Sequence, residues 1–161
     1  MKRKIILLLA LTGTMFYCQE QPIDPGDSNH EATVLTIKDE AVFSSALSSL
    51  TSGTKSDKFT IKSVTIDDAS LKMLIEVQYG GGCKKHDFKL VWPDAIIAIY
   101  PPKFSVILNH DANGDMCEAL PTSVLEIDLK ASPLGFDDQS IRDMTVTVIN
   151  GSNPDEKVES I

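Results

Sequence analysis

Leu71-Lys72-Met73-Leu74-Ile75-Glu76-Val77-Gln78-Tyr79 is the stretch on which the fold class turns. Leu71, Met73, Ile75, Val77 and Tyr79 fall on one face of an extended chain, and Lys72, Glu76 and Gln78 on the other, with Leu74 the exception. Successive side chains of a strand point to opposite faces, so this period of two predicts a strand with one face on a core. The same alternation recurs on both sides of it. Phe88, Leu90 and Trp92 alternate with Lys89 and Val91; Phe104, Val106 and Leu108 with Ser105, Ile107 and Asn109. Leu125, Ile127 and Leu129 alternate with Glu126, Asp128 and Lys130, and Met144, Val146 and Val148 with Thr145 and Thr147. Segments 33–37 and 59–66 are further strand candidates.

The connectors carry turn chemistry. Asp67-Asp68-Ala69-Ser70 predicts a hairpin turn, and Asn113-Gly114 a tight turn between two strands. Gly80-Gly81-Gly82 ends a strand and permits backbone angles that other residues avoid. Pro101-Pro102 blocks helix before a strand edge. One segment, 39–50, reads as a helix: Asp39 caps it, and Val42, Ala46, Leu47 and Leu50 share a face. A shorter helical turn is expected within 134–140.

Short strands joined by Gly and Pro turns predict an all-β, single-domain antiparallel β-sandwich of immunoglobulin-like type over residues 33–151. A small β-barrel is the alternative. Residues 152–161 read as a polar, frayed tail. There is no internal repeat and no second domain.

The start of the chain is different. Lys2-Arg3-Lys4 precedes an unbroken apolar run from Ile5 to Leu11. A basic cluster before a short apolar region marks residues 1–17 as a secretory signal, too short for a bilayer span of about 20 residues. Cys18 then stands where bacterial lipidation occurs. Tyr17 departs from the small residue that usually precedes such a cysteine, and cleavage near Thr12-Gly13-Thr14 is the competing site. Lipidation of Cys18 is favoured because residues 18–32, with Pro22, Pro25 and Gly26, read as a flexible tether. A lipid anchor in the membrane follows, with envelope location, on the outer membrane, and a protein partner in the envelope.

The formal charge is −8, and loss of Lys2, Arg3 and Lys4 with the signal makes the exported chain more acidic by three. An acidic surface repels phosphate backbones, so nucleic acid is excluded as a partner. With Cys18 lipidated, Cys83 and Cys117 remain as an even pair. In an oxidising compartment such a pair forms a disulfide. Closing a loop of about 35 residues would stabilise the fold by roughly 3–4 kcal/mol in the chain-entropy model.

Chemistry concentrates in two stretches, Gly80-Gly81-Gly82-Cys83-Lys84-Lys85-His86-Asp87-Phe88 and His110-Asp111-Ala112-Asn113-Gly114-Asp115-Met116-Cys117-Glu118. The favoured reading is structural: a Cys83–Cys117 bridge with His86 and His110 on the surface nearby. A second reading is a zinc or copper site, since Cys83 and His86 have a C-x2-H spacing that His110 and Cys117 would complete. A third is calcium. Asp111, Asn113 and Asp115 have the alternating oxygens of a calcium loop, although Met116 replaces the usual glycine and Glu118 would have to supply the last carboxylate. No metal is favoured and no cofactor is expected.

Catalytic signatures are missing from the sequence. There is no G-x-S-x-G elbow, no phosphate loop and no zincin helix. The adjacent carboxylates Asp67-Asp68 and Asp137-Asp138 suit turns better than acid/base pairs, because neighbours on a strand diverge. The expectation is a non-enzymatic binding or structural module. At the Gly80-to-Phe88 and His110-to-Glu118 stretches, and in its start, the chain resembles small lipoproteins of unassigned function in Bacteroidetes-type bacteria. The resemblance covers roughly residues 60–150 and implies a Gram-negative envelope location and no activity.

Overall fold

The computed structural model describes residues 32–52, 56–94 and 100–161. The signal, Cys18 and most of the tether lie outside them. Among the described residues eight strands and two helices follow in the order β1 (Thr33–Lys38), α1 (Glu40–Ser52), β2 (Phe59–Asp67), β3 (Lys72–Tyr79), β4 (Asp87–Trp92), β5 (Lys103–Asp111), β6 (Thr122–Asp128), α2 (Asp138–Asp143), β7 (Thr145–Asn150) and β8 (Asn153–Glu159).

Lys72–Tyr79 form β3 with the expected alternation, and Leu71 is buried just before the strand. Leu71, Met73, Ile75, Val77 and Tyr79 are buried, and Met73, Ile75 and Val77 are sealed from solvent. Each such side chain contributes about 1.5–3 kcal/mol by leaving water. β3 is the centre of a three-stranded sheet, β2-β3-β6, which faces a five-stranded sheet ordered β1-β4-β5-β7-β8. Phe88, Leu90, Trp92, Val106, Leu108, Val146 and Val148 from the larger sheet meet Leu125, Ile127 and the β3 residues in one core. The all-β sandwich expected from the sequence is the architecture found.

Four pairings among the described residues are antiparallel as expected, and two are parallel. β1 runs parallel to β4, and β5 runs parallel to β7. Parallel neighbours need a crossover between them. Here the crossover passes through the other sheet: the β2–β3 hairpin separates β1 from β4, and β6 separates β5 from β7. The Asp67–Ser70 turn joins β2 to β3 as predicted, with Asp67 paired opposite Lys72. Asn113-Gly114 is a tight turn at φ +51° and +65°. It does not join paired strands. It carries the chain out of β5 and across to β6 in the other sheet.

The expected polar tail is a correction. Residues Asn153–Glu159 form β8, antiparallel to β7. The strand is polar because it is an edge with one face in water, and Val158 alone packs on the core. The last residue closes this side of the sandwich: Ile161 N–H donates to the Val64 carbonyl (3.2 Å), and Ile66 N–H to the Ile161 carbonyl (3.4 Å). No ladder closes β1 onto β6 among the described residues, so the sheets do not make a barrel.

α1 begins where predicted. Asp39 Oδ1 accepts from Val42 N–H at 2.8 Å, the N-cap bond. Its serines bond back to their own helix, Ser48 and Ser49 Oγ to the carbonyls of Ser44 and Ser45. None of its side chains is buried. α2 starts later than the expected 134–140 turn, because Asp137 caps it through Ser140 N–H (2.9 Å).

Candidate functional site

The two stretches singled out in the sequence meet at one end of the sandwich. β4 and β5 pair so that Phe88 lies opposite His110. Both face the core, and the loop before β4 brings His86 beside them. Contrary to the surface positions expected, His86 is 2% exposed and His110 3%. The rings stack at 5.0 Å and 12°, and Phe88 stacks on His110 at 4.5 Å. Tyr79 from β3 leans on His86 (4.4 Å), and Phe59 from β2 meets His110 edge-on (5.7 Å). Both sheets therefore contribute to the pocket around the two imidazoles.

Asp115 organises the surrounding loops. Its Oδ2 accepts N–H bonds from Gly82 (2.8 Å), Cys83 (2.8 Å) and Lys84 (2.9 Å), and its Oδ1 one from Cys117 (3.0 Å). His86 Nε2 reaches the same Oδ2 at 3.2 Å. The Asp115 side chain is 1% exposed. These donors, the Cys117 N–H first, hold its carboxyl well below the usual carboxylate range, against the opposing effect of desolvation. Gly81 is required here: its φ is +134°, and a Cβ would lie 2.6 Å from His86 Nε2 and 2.9 Å from Asp115 Oδ2.

The remaining polar residues tie the loops together. Lys84 Nζ donates to the carbonyls of Asn113 (2.9 Å) and Gly114 (2.8 Å). Asn113 Nδ2 donates to Lys85 O (3.0 Å) and Asp87 Oδ2 (2.8 Å), and Asp111 Oδ1 accepts from Asn113 N–H (2.8 Å). Cys83 and Cys117 stand as a disulfide pair with Cα atoms 6.0 Å apart, inside the range a bridge requires.

Neither metal reading fits this geometry. The zinc or copper set needs free thiolates, yet the two cysteine sulfurs face each other and the two histidines bond to each other, Nδ1 of His86 to Nε2 of His110 at 2.7 Å. The calcium set fails because Asp111, Asn113 and Asp115 turn to different partners: a local turn, the Asp87 side and the loop amides. Cys83, Asp115 and Cys117 do lie within one metal-sized group. Its carboxylate is already engaged by four backbone N–H donors, three on Oδ2 and one on Oδ1.

Sequence reasoning missed four contributors. Tyr79 and Phe59 read only as core. Asp57 carried no motif, yet its N–H bonds to His110 O (2.9 Å) and its Oδ2 accepts from Ala112 N–H (2.8 Å). Ser56 Oγ accepts from His110 N–H (2.9 Å).

A second feature lies on the outer face of the larger sheet. A cleft of about 520 Å³ runs between α1 and strands β1, β4 and β5. Leu35, Val91, Val42 and Ala46 are apolar, and Asp87, Lys89 and Asp111 are the charged residues of its lining. Leu35 is 58% exposed and Val42 38%. Thr33 Oγ1 (2.7 Å) and then Asn113 hold the Asp87 carboxyl below its ordinary range.

No family model and no curated protein matches this chain. Among solved structures it is similar to a protein of unknown function from Bacteroides vulgatus, with 15% identity and a TM-score of 0.46 over 80% of this chain and 54% of that one. It is also similar to a NigD-like immunity protein from Bacteroides caccae, with 17% identity and a TM-score of 0.43 over 80% of this chain and 59% of that one. The chain thus spans little more than half the length of either. At this distance no ligand or partner carries over.

Proposed function

We propose that this protein is a lipoprotein of the bacterial envelope, anchored through Cys18, whose β-sandwich binds a partner without catalysing a reaction. The observation that carries the reading is the cleft beneath α1. A helix with a capped start and an apolar face normally buries that face, yet α1 buries no side chain and stands over a gap with Leu35 and Val42 uncovered. The lining has two carboxylates, Asp87 and Asp111, against one cation, Lys89. The chain as a whole is acidic. The occupant that matches is a segment of an envelope protein with an apolar side chain flanked by lysine or arginine.

The His86–Asp115 cluster supports the non-enzymatic side of the reading. Its side chains are sealed and bonded to one another, and among the described residues no Ser, Thr or free Cys side chain bonds to either imidazole as a nucleophile would. Two experiments test the proposal. Fractionation of cells should place the wild type in membranes and release Cys18→Ser; membrane retention of Cys18→Ser refutes the anchor. Titration of the isotope-labelled protein with a Lys-Leu-Leu-Lys peptide should move amides at Leu35, Val42, Ala46 and Lys89, and a Glu-Leu-Leu-Glu peptide should not. Equal responses, or responses elsewhere, refute the cleft as the binding surface.

A further inference from the structure

The buried imidazoles form a chain whose proton count can be read from its ends. Asp115 Oδ2 accepts at His86 Nε2 (3.2 Å) and requires a proton on that nitrogen. At the other end the carbonyl of Asp57 faces His110 Nδ1 at 3.4 Å and also requires one. Between them, His86 Nδ1 and His110 Nε2 share a third position at 2.7 Å. Two neutral imidazoles carry only two N–H protons. The fully matched chain holds three. Its one positive charge lies in line with the Asp115 carboxylate, so the buried cluster is charge-balanced. A fourth proton would set N–H against N–H at 2.7 Å. Loss of the third would set a lone pair against a carbonyl, or leave Asp115 without its imidazole donor.

We propose that the His86–His110 pair binds one shared proton in the folded protein and that this proton latches the Ser56–Asp57 segment onto β5. That segment leads into β2. Among the described residues its bonds to the rest of the fold run to the end of β5: His110 N–H to Ser56 Oγ, Asp57 N–H to His110 O and Ala112 N–H to Asp57 Oδ2. The ring of His110 adds the one bond of this group that depends on protonation. Asp57 and Asp111 also act on His110, their charges favouring a proton there. Of the carboxylates around it, Asp57 is committed to Ala112 N–H, Asp111 to Asn113 N–H, and Asp87 to Thr33 and Asn113. Lys84 is turned to the 113–114 carbonyls, Lys85 lies on the exposed loop, and the Tyr79 hydroxyl bonds to Ser123 Oγ (2.8 Å). Burial first, and the neighbouring His86 charge second, push His110 below the ordinary imidazole range.

The test is imidazole nitrogen NMR on the full exported protein carrying His30→Gln, so that only the two buried rings report. Near pH 7 the pair should show three ring-bound protons, with the central one coupled to both rings. Raising the pH should remove one proton from the pair as a unit. Exchange of the Asp57 amide should then quicken several-fold beyond the rise that base catalysis gives every amide. Asp115→Asn keeps an acceptor oxygen for the loop amides but removes the charge, and should lower the midpoint of that loss by about one pH unit or more. Two ring protons throughout the range, rings that titrate independently, or an Asp57 amide indifferent to the loss would overturn the proposal. The wild-type spectra decide the matter alone if Asp115→Asn does not fold.

Discussion

Asn150 Nδ2 donates to the Phe59 carbonyl at 2.9 Å, joining the end of β7 in one sheet to the start of β2 in the other. Asn150 is sealed from solvent, and all its valences are used: Nδ2 also reaches Glu156 Oε2 (3.0 Å), and Oδ1 accepts from Ser152 N–H and Oγ (2.8 Å each). Glu156 Oε1 in turn accepts from Ile61 N–H (2.6 Å). One buried amide thus fastens the β7–β8 hairpin to the facing sheet.

Replacing Asn150 with Leu should therefore cost about 2–4 kcal/mol, since several buried donors and acceptors lose partners at about 1–3 kcal/mol each, with relaxation recovering part. Urea unfolding reads it directly. A change below 0.5 kcal/mol, the level of an ordinary surface substitution, would refute the fastening role.

Gly81→Ala and Gly80→Ala make a matched pair. At Gly81 the added Cβ meets His86 and Asp115 at under 3 Å on a backbone only glycine adopts easily, whereas at Gly80 it meets nothing within 4 Å. Gly81→Ala should lower Tm by several degrees per kcal/mol lost, and Gly80→Ala should shift it little. Similar melting of the two variants would show that the approach to the histidine pair is not tight.

Cys83→Ser with Cys117→Ser should destabilise the fold by roughly 3–4 kcal/mol, the loop-closure value for this separation, with the sulfurs lost in a region already crowded by Asp115 bonds. Intact mass of unreduced protein should be two hydrogens below that of the reduced form. Two alkylatable thiols in native protein would rule the bridge out.

Stability should fall as the solution is acidified. His110 is held below the ordinary imidazole value in the fold, by burial first and the His86 charge second. The unfolded chain then binds a proton that the native state refuses, so His110 stabilises fully above about pH 6.5 and loses that contribution as pH drops below it. Asp115 and Asp87 are also depressed, by loop N–H donors headed by Cys117 and by the Thr33 hydroxyl respectively. Their contributions are present above the unfolded carboxylate value near about 4 and fade below it. Denaturant midpoints should therefore decline in two steps, one below about pH 6.5 and one below about pH 4. A flat profile between pH 7 and 5 would contradict the His110 assignment.

Deleting residues 153–161 should abolish or severely weaken folding, because it removes β8, the Glu156 acceptor and the Ile161 bonds to β2. Circular dichroism of the truncated chain distinguishes this from the tail reading, under which nothing would change.

Much of the fold is legible in the sequence because strand formation leaves a local mark. Alternation in 71–79, 88–92 and 125–129 follows from one-sided burial, and Asp39 and Asp67 declare a cap and a turn through their own side chains. Which strands become neighbours leaves no such mark. The parallel pairs β1–β4 and β5–β7 depend on contacts far apart in the chain, and Asn113-Gly114 has the same turn angles whether it joins two paired strands or crosses between sheets. β8 looks like a tail because an edge strand with a wet face needs almost no apolar residues. The Cys/His/Asp residues stand out in the sequence by type, but their roles are tertiary. Asp115 becomes an anchor only when four loop amides converge on it, and His86 and His110 become buried partners only when Tyr79, Phe59 and Phe88 close around them. Residue chemistry and local periodicity determined that this chain makes strands and where they turn. The tertiary structure decided which polar groups lose water, because only the packing of one sheet on the other takes it away.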